Sequence, residues 1–66
     1  MVSLQDAFAA HQSGRLPQAV QMYGEFIRHN PQHPEAHHLL GIALLQSGNL
    51  PAAIEALQQA TRLNDK

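Results

Sequence analysis

One string of nine residues constrains this chain more than any other feature, because it is written twice. Gln12-Ser13-Gly14-Arg15-Leu16-Pro17-Gln18-Ala19-Val20 returns thirty-four residues later as Gln46-Ser47-Gly48-Asn49-Leu50-Pro51-Ala52-Ala53-Ile54. Self-similarity at a fixed period of about 20–50 residues is the signature of a repeat architecture, in which no unit buries its apolar face alone. Each part of the string has a scaffold role: Gly48 turns the chain, Leu50 fills beside the turn, Pro51 starts a helix and Ala53 lets two helices meet closely.

Apolar spacing on either side of the two strings predicts four helices. Ser3 has the chemistry of an N-cap, and Asp6 three residues later resembles a weak capping box. Leu4, Ala7, Phe8 and His11 then share one helical face and Gly14 closes it, so the first helix runs roughly from Leu4 to Ser13. Pro17 suits the first turn of the second helix, whose face is Leu16, Ala19, Val20, Tyr23, Phe26 and Ile27. Gly24 inside that helix costs about 0.5–1 kcal/mol relative to alanine, and marks either a close backbone approach or a tolerated weakness. The stop is Asn30-Pro31-Gln32-His33-Pro34, since the residue before each proline is pushed out of the helical region. Pro34 and Glu35 open the third helix, with Leu39, Leu40, Ala43 and Leu44 as its face and Gly41 admitting a neighbour. Gly48 ends it, Pro51 starts the fourth, and Ala53, Ile54, Leu57, Ala60 and Leu63 are the expected buried stripe.

Composition removes whole classes of function. With no cysteine there is no disulfide framework, thiolate metal site or Cys nucleophile, which favours a reducing compartment. Four Lys plus Arg and a net charge of −1 give no footprint for nucleic acid or an anionic membrane. The longest apolar run, around Leu39–Leu45, is far short of the ~20 residues that span a bilayer. Met1–Asp6 lacks a basic stretch followed by an apolar one, so no signal peptide is read there and the expected location is cytoplasmic.

At this point the residues resemble the tetratricopeptide repeat, a 34-residue helix pair. The second copy carries the resemblance in Leu40-Gly41, Leu44, Gly48, Ala53, Leu57 and Ala60, and the first in Ala7, Gly14, Ala19, Tyr23 and Pro31. The resemblance covers the whole chain. It implies an all-α fold of two helix-turn-helix repeats: four antiparallel helices in a short right-handed superhelix, one domain over 1–66, with repeats at about 1–33 and 34–66. Three positions depart from the pattern: Asp6 where the family prefers a large apolar residue, Phe26 where it usually has alanine, and Asp65 in place of the terminal proline. An altered first helix suits a terminal repeat, whose outer edge must be polar. A finer likeness runs from His11 to Gly41 and resembles the opening repeats of bacterial proteins related to O-linked N-acetylglucosamine transferase. It implies, as an alternative, an accessory region that recruits protein substrate to a glycosyltransferase-like enzyme. The asparagine ladder of those repeats is missing here, with Gln5 and Leu39 in its place.

In this family the first helix of each pair lines a concave surface that takes ligands. The resemblance therefore implies a partner groove of Leu4, Phe8, His11, His38, Ile42 and Leu45, flanked by Gln12, Glu35 and Gln46. Repeats that clamp a C-terminal carboxylate place Lys, Arg and Asn there, whereas this chain offers Leu4, Phe8, Leu39 and Ile42. Such a groove suits a protein or peptide partner, an amphipathic helix or a second copy above all. The plainer alternative is that these side chains are core in a compact four-helix arrangement. Two repeats also leave Ile54, Leu57 and Thr61 as an open stacking edge where a third would sit. The chain is then a fragment of a longer array, or it self-associates as a homodimer or larger.

The histidines offer one further reading, a metal- or pH-responsive module. His29, His33 and His37 are four residues apart, and His38 follows. The two prolines interrupt the helix between them, and a site needs three or four convergent ligands at about 2.0–2.1 Å. Packing, capping and solvent-facing imidazoles explain them better. Ser13, Ser47, Asp6 and Glu25 each read as a cap, turn or surface residue, so no catalytic, metal or cofactor site is expected and the chain is not read as an enzyme.

Overall fold

The computed structural model describes residues 2–64 and is built of four helices: α1 Leu4–Gln12, α2 Leu16–His29, α3 Pro34–Gln46 and α4 Leu50–Asn64. Asp65, read above as standing for a terminal proline, lies outside the described residues. Each helix packs on the next in the chain, and α1 also touches α3. That order is two helix pairs laid side by side, as the repeat predicts.

The duplicated string folds into the same turn twice. After α1, Ser13 donates its backbone N–H to Ala9 O, Gly14 to His11 O and Arg15 to Ala10 O at 3.0, 3.1 and 3.0 Å. After α3, Ser47, Gly48 and Asn49 do the same to Ala43, Leu45 and Leu44 at 3.0, 3.1 and 2.9 Å. Each turn needs one left-handed residue, and the glycines supply it at φ +82° and +85°. The serine hydroxyl adds a bond of 2.9 Å to the same carbonyl each time, from Ser13 to Ala9 O and from Ser47 to Ala43 O. Pro17 and Pro51 then sit in the first turn of α2 and α4, where a missing N–H costs nothing.

Two other helix starts use side chains. Ser3 Oγ accepts the N–H of Asp6 at 3.1 Å, as its spacing predicts. His33 takes the same role for α3, its Nδ1 accepting the N–H of Ala36 at 3.2 Å. Its ring also meets Phe26 edge-on, centroids 5.3 Å apart, so the loop between repeats is held from both sides.

The core consists largely of small residues. Ala7, Ala19 and Ala43 surround Tyr23, the one large side chain among the described residues that is fully buried, while Leu44, Ala53 and Ala56 continue the core between α3 and α4. Val20 and Leu40 pack against both groups and join one repeat to the other. Alanines bring helix backbones close, and Gly41 marks one close approach: a Cβ there would lie 2.6 Å from Leu57 Cδ2 and 3.3 Å from Ala53 O.

Two local readings need correction, and an alternative left open at Gly24 is decided. The buried stripe of α4 is Ala53, Ala56 and Ala60, and Ile54 is 56% exposed. Two neighbouring stripes of α4 are apolar, and spacing alone does not say which one meets α3. Leu50, expected to fill beside its turn, is 53% exposed, whereas Leu16 in the same place of the first repeat is half-buried. A Cβ at Gly24 would meet nothing within 4 Å, so this glycine is a tolerated weakness and not a close approach.

Candidate functional site

The side-by-side placement of α1 and α3 creates a concave slot of about 340 Å³, lined by Leu4, Gln5, Phe8, Glu35 and Leu39. Helical spacing explains the lining. Leu4 and Gln5 each lie one turn before Phe8 on α1, and Glu35 one turn before Leu39 on α3. Phe8 is 39% exposed, so a bulky aromatic face is open to a partner. Glu35 is the one charged side chain lining the slot.

His11 lies further along α1, towards its C-terminal end, and is hydrogen-bonded at both ring nitrogens. Its Nε2 is 2.6 Å from Gln46 Oε1, and its Nδ1 is 3.0 Å from the Tyr23 hydroxyl. The amide oxygen of Gln46 can only accept, so Nε2 carries the proton and Nδ1 accepts the Tyr23 O–H. Burial pushes the Tyr23 phenol above its ordinary pKa, which keeps it protonated as that donor. Edge-on contacts run along the same line, from Phe8 to His11 at 6.2 Å and from His11 to Tyr23 at 5.8 Å between centroids. One imidazole therefore ties α1 to α2 and to α3.

The expected contact residues divide into two groups. Leu4 and Phe8 share the slot with Gln5, Glu35 and Leu39. His38 faces elsewhere: it lines a depression between α3 and α4 with Pro34, Leu57 and Thr61. Ile54, Leu57 and Thr61 do share one surface, with Gln58 and Arg62. Ile42 is half-buried and Leu45 is 50% exposed, and neither lines the slot. The bridge from Tyr23 through His11 to Gln46 escapes sequence reasoning, since its members are twelve and thirty-five residues apart and no local spacing marks them.

The other histidines have local partners. His33 caps α3, and His37 Nε2 donates to Pro31 O at 2.9 Å. Among the described residues no three His, Cys, Asp or Glu side chains are placed to hold a metal ion. No described helix is long and apolar enough to cross a membrane.

Comparison with protein families matches this chain to the family described as Tetratricopeptide repeat, over residues 6–66. The curated proteins and the solved structures give no match.

Proposed function

We propose that this chain, which belongs to the tetratricopeptide-repeat family, is a non-enzymatic protein-interaction module whose concave slot takes an amphipathic helix or peptide. The observation that carries this is the slot itself, where Leu4, Phe8 and Leu39 present apolar surface between two helices that the His11–Gln46 bond also links. A groove of this kind takes the apolar face of a helix as anchors one turn apart. Glu35 adds a preference for a cationic flank, because no Lys or Arg lines the slot.

Fluorescence anisotropy with a labelled helical peptide carrying a leucine stripe flanked by lysines tests the reading. Binding that is lost in Phe8→Glu, with far-UV circular dichroism unchanged, and weakened by aspartate flanks is the expected result. Equal titrations for wild type and Phe8→Glu across a series of such peptides overturn it.

A second reading, self-association through the open edge of α4, is favoured by one further observation. Leu50 and Ile54 there are 53% and 56% exposed, more than any other large apolar side chain among those described.

A further inference from the structure

The internal repeat provides a control for that open edge. Residues thirty-four apart hold the same place in their units, so the first pair shows how such residues behave under a covering helix. Leu16 and Val20 are half-buried against the cluster around Tyr23, and Tyr23 is fully buried. Their counterparts are Leu50, Ile54 and Leu57, of which the first two are more than half exposed. Leu45 is 50% exposed, whereas its counterpart His11 is half-buried and bonded to α3. Of the four exposed large apolar residues among those described, three therefore lie on this one end, and the fourth is Phe8 of the slot.

The opposite end of the molecule has different chemistry. α3 packs on the first pair through Leu39, Leu40 and Ala43, and through Gln46 on His11. The corresponding residues of α1 are Gln5, Asp6, Ala9 and Gln12, all exposed. If a second copy laid its α1 on α4 in the register that joins the two repeats, Asp6 would occupy the place of Leu40. A carboxylate stripped of water on an apolar face without a partner is strongly disfavoured. Head-to-tail growth is blocked at that residue.

Resting on the self-association reading, we propose that two copies meet through their α4 ends about a two-fold axis and that assembly stops at two. A two-fold interface uses the same patch on both partners and closes, whereas a head-to-tail contact extends. The charges on α4 set the direction. Glu55 lies in its first half and Arg62 in its second, so an antiparallel crossing places opposite charges side by side and a parallel crossing places like charges together. The contact runs along a fifteen-residue helix, about 22 Å at 1.5 Å per residue. A contact confined to one helix of this length belongs with the small interfaces, below the ~800 Å² per partner of a standard one, so the dimer is weak. Both slots stay open, and the assembly is bivalent.

Sedimentation equilibrium over a micromolar-to-millimolar series, with circular dichroism as the folding control, tests this. Wild type saturates at dimer, Ile54→Glu weakens the dimer at least about tenfold by placing a charge in the apolar contact, Phe8→Glu leaves it intact, and Asp6→Leu adds larger species. If Ile54→Glu fails to fold, Leu50→Lys replaces it. Growth of wild type past dimer overturns the closed two-fold assembly and leaves self-association standing; an Asp6→Leu protein that still stops at dimer overturns Asp6 as the block to head-to-tail growth. A wild-type monomer at millimolar concentration overturns self-association itself, leaves the α4 end to a partner of other chemistry, and does not touch the slot.

Discussion

Alanine placed at two glycines of this chain should shift stability in opposite directions. At Gly24 a Cβ meets nothing within 4 Å, so the substitution removes backbone freedom from the unfolded chain and adds no contact. The expected gain is about 0.5–1 kcal/mol. At Gly41 the same methyl arrives 2.6 Å from Leu57 Cδ2 and 2.7 Å from Leu57 Cγ, where carbons prefer about 3.5–4.0 Å. Overpacking of this kind costs about 1–3 kcal/mol, partly offset by up to about 1 kcal/mol of helix propensity. Gly41→Ala should therefore be neutral to about 2 kcal/mol less stable than wild type. With about 4–8 °C in Tm per kcal/mol for a domain this small, thermal melts should separate the two variants by several degrees at least. The double variant Gly41→Ala/Leu57→Ala identifies the cause, because shortening Leu57 removes the overlap. In that background the alanine at position 41 should no longer be destabilising, giving a coupling above about 0.5 kcal/mol. A Gly41→Ala protein as stable as Gly24→Ala, or additive behaviour in the cycle, refutes the close approach of α3 and α4 at this point.

Two further perturbations test the joints around the core. Burial raises the Tyr23 pKa above its ordinary value near 10, so above that pH the unfolded chain gives up the phenolic proton while the folded chain keeps it. Stability is then complete below about pH 10 and falls as pH rises towards the folded value, by up to about 1.4 kcal/mol per pH unit. Urea melts of wild type should show that loss and those of Tyr23→Phe should not; an identical alkaline slope in both contradicts the burial argument. At the start of α3, His33→Ala removes a side-chain cap and should cost about 0.5–2 kcal/mol, whereas His33→Asp loses the Phe26 contact but should recover the capping part of that cost, because a carboxylate both caps and suits the positive helix end. Chemical denaturation ranks the three, and an alanine variant equal to wild type removes His33 as a cap.

The scaffold was legible because its signals are local. Gly14 and Gly48, the prolines that follow them, Ser3 and His33 each act within four residues of their own position, and each stands where spacing put it. Side chains whose roles depend on a distant neighbour were less legible. Val20 and Ile54 occupy the same place in their units, yet one is half-buried and the other open, because α3 covers the first and nothing described covers the second. Sequence spacing marks both as apolar and cannot say which is covered. The residues behind the likeness to sugar-transferase openings turn out to be scaffold as well: Gly14 turns the chain, His33 and Pro34 start α3, and Gly41 receives Leu57. Such positions repeat wherever the helix pair repeats, and they say little about what is bound. The slot was only half readable, since Leu4 and Phe8 announced themselves while Leu39 and Glu35 join them only through the placement of α3 beside α1.

The position of Tyr23 also makes the protein its own reporter. The chain has one tyrosine and no tryptophan, so its near-ultraviolet absorption and emission come almost wholly from a single ring. That ring is fully buried and is bonded to the imidazole that links three helices. Its signal therefore reads the junction between the two units, while the far-ultraviolet signal reads all four helices together. Where stability is a sum of units and the contacts between them, the two signals need not change together. A tyrosine transition that lags behind the loss of helix would mean that α4, which holds no aromatic residue, opens first and the junction last. No label, dye or added residue is needed to see it.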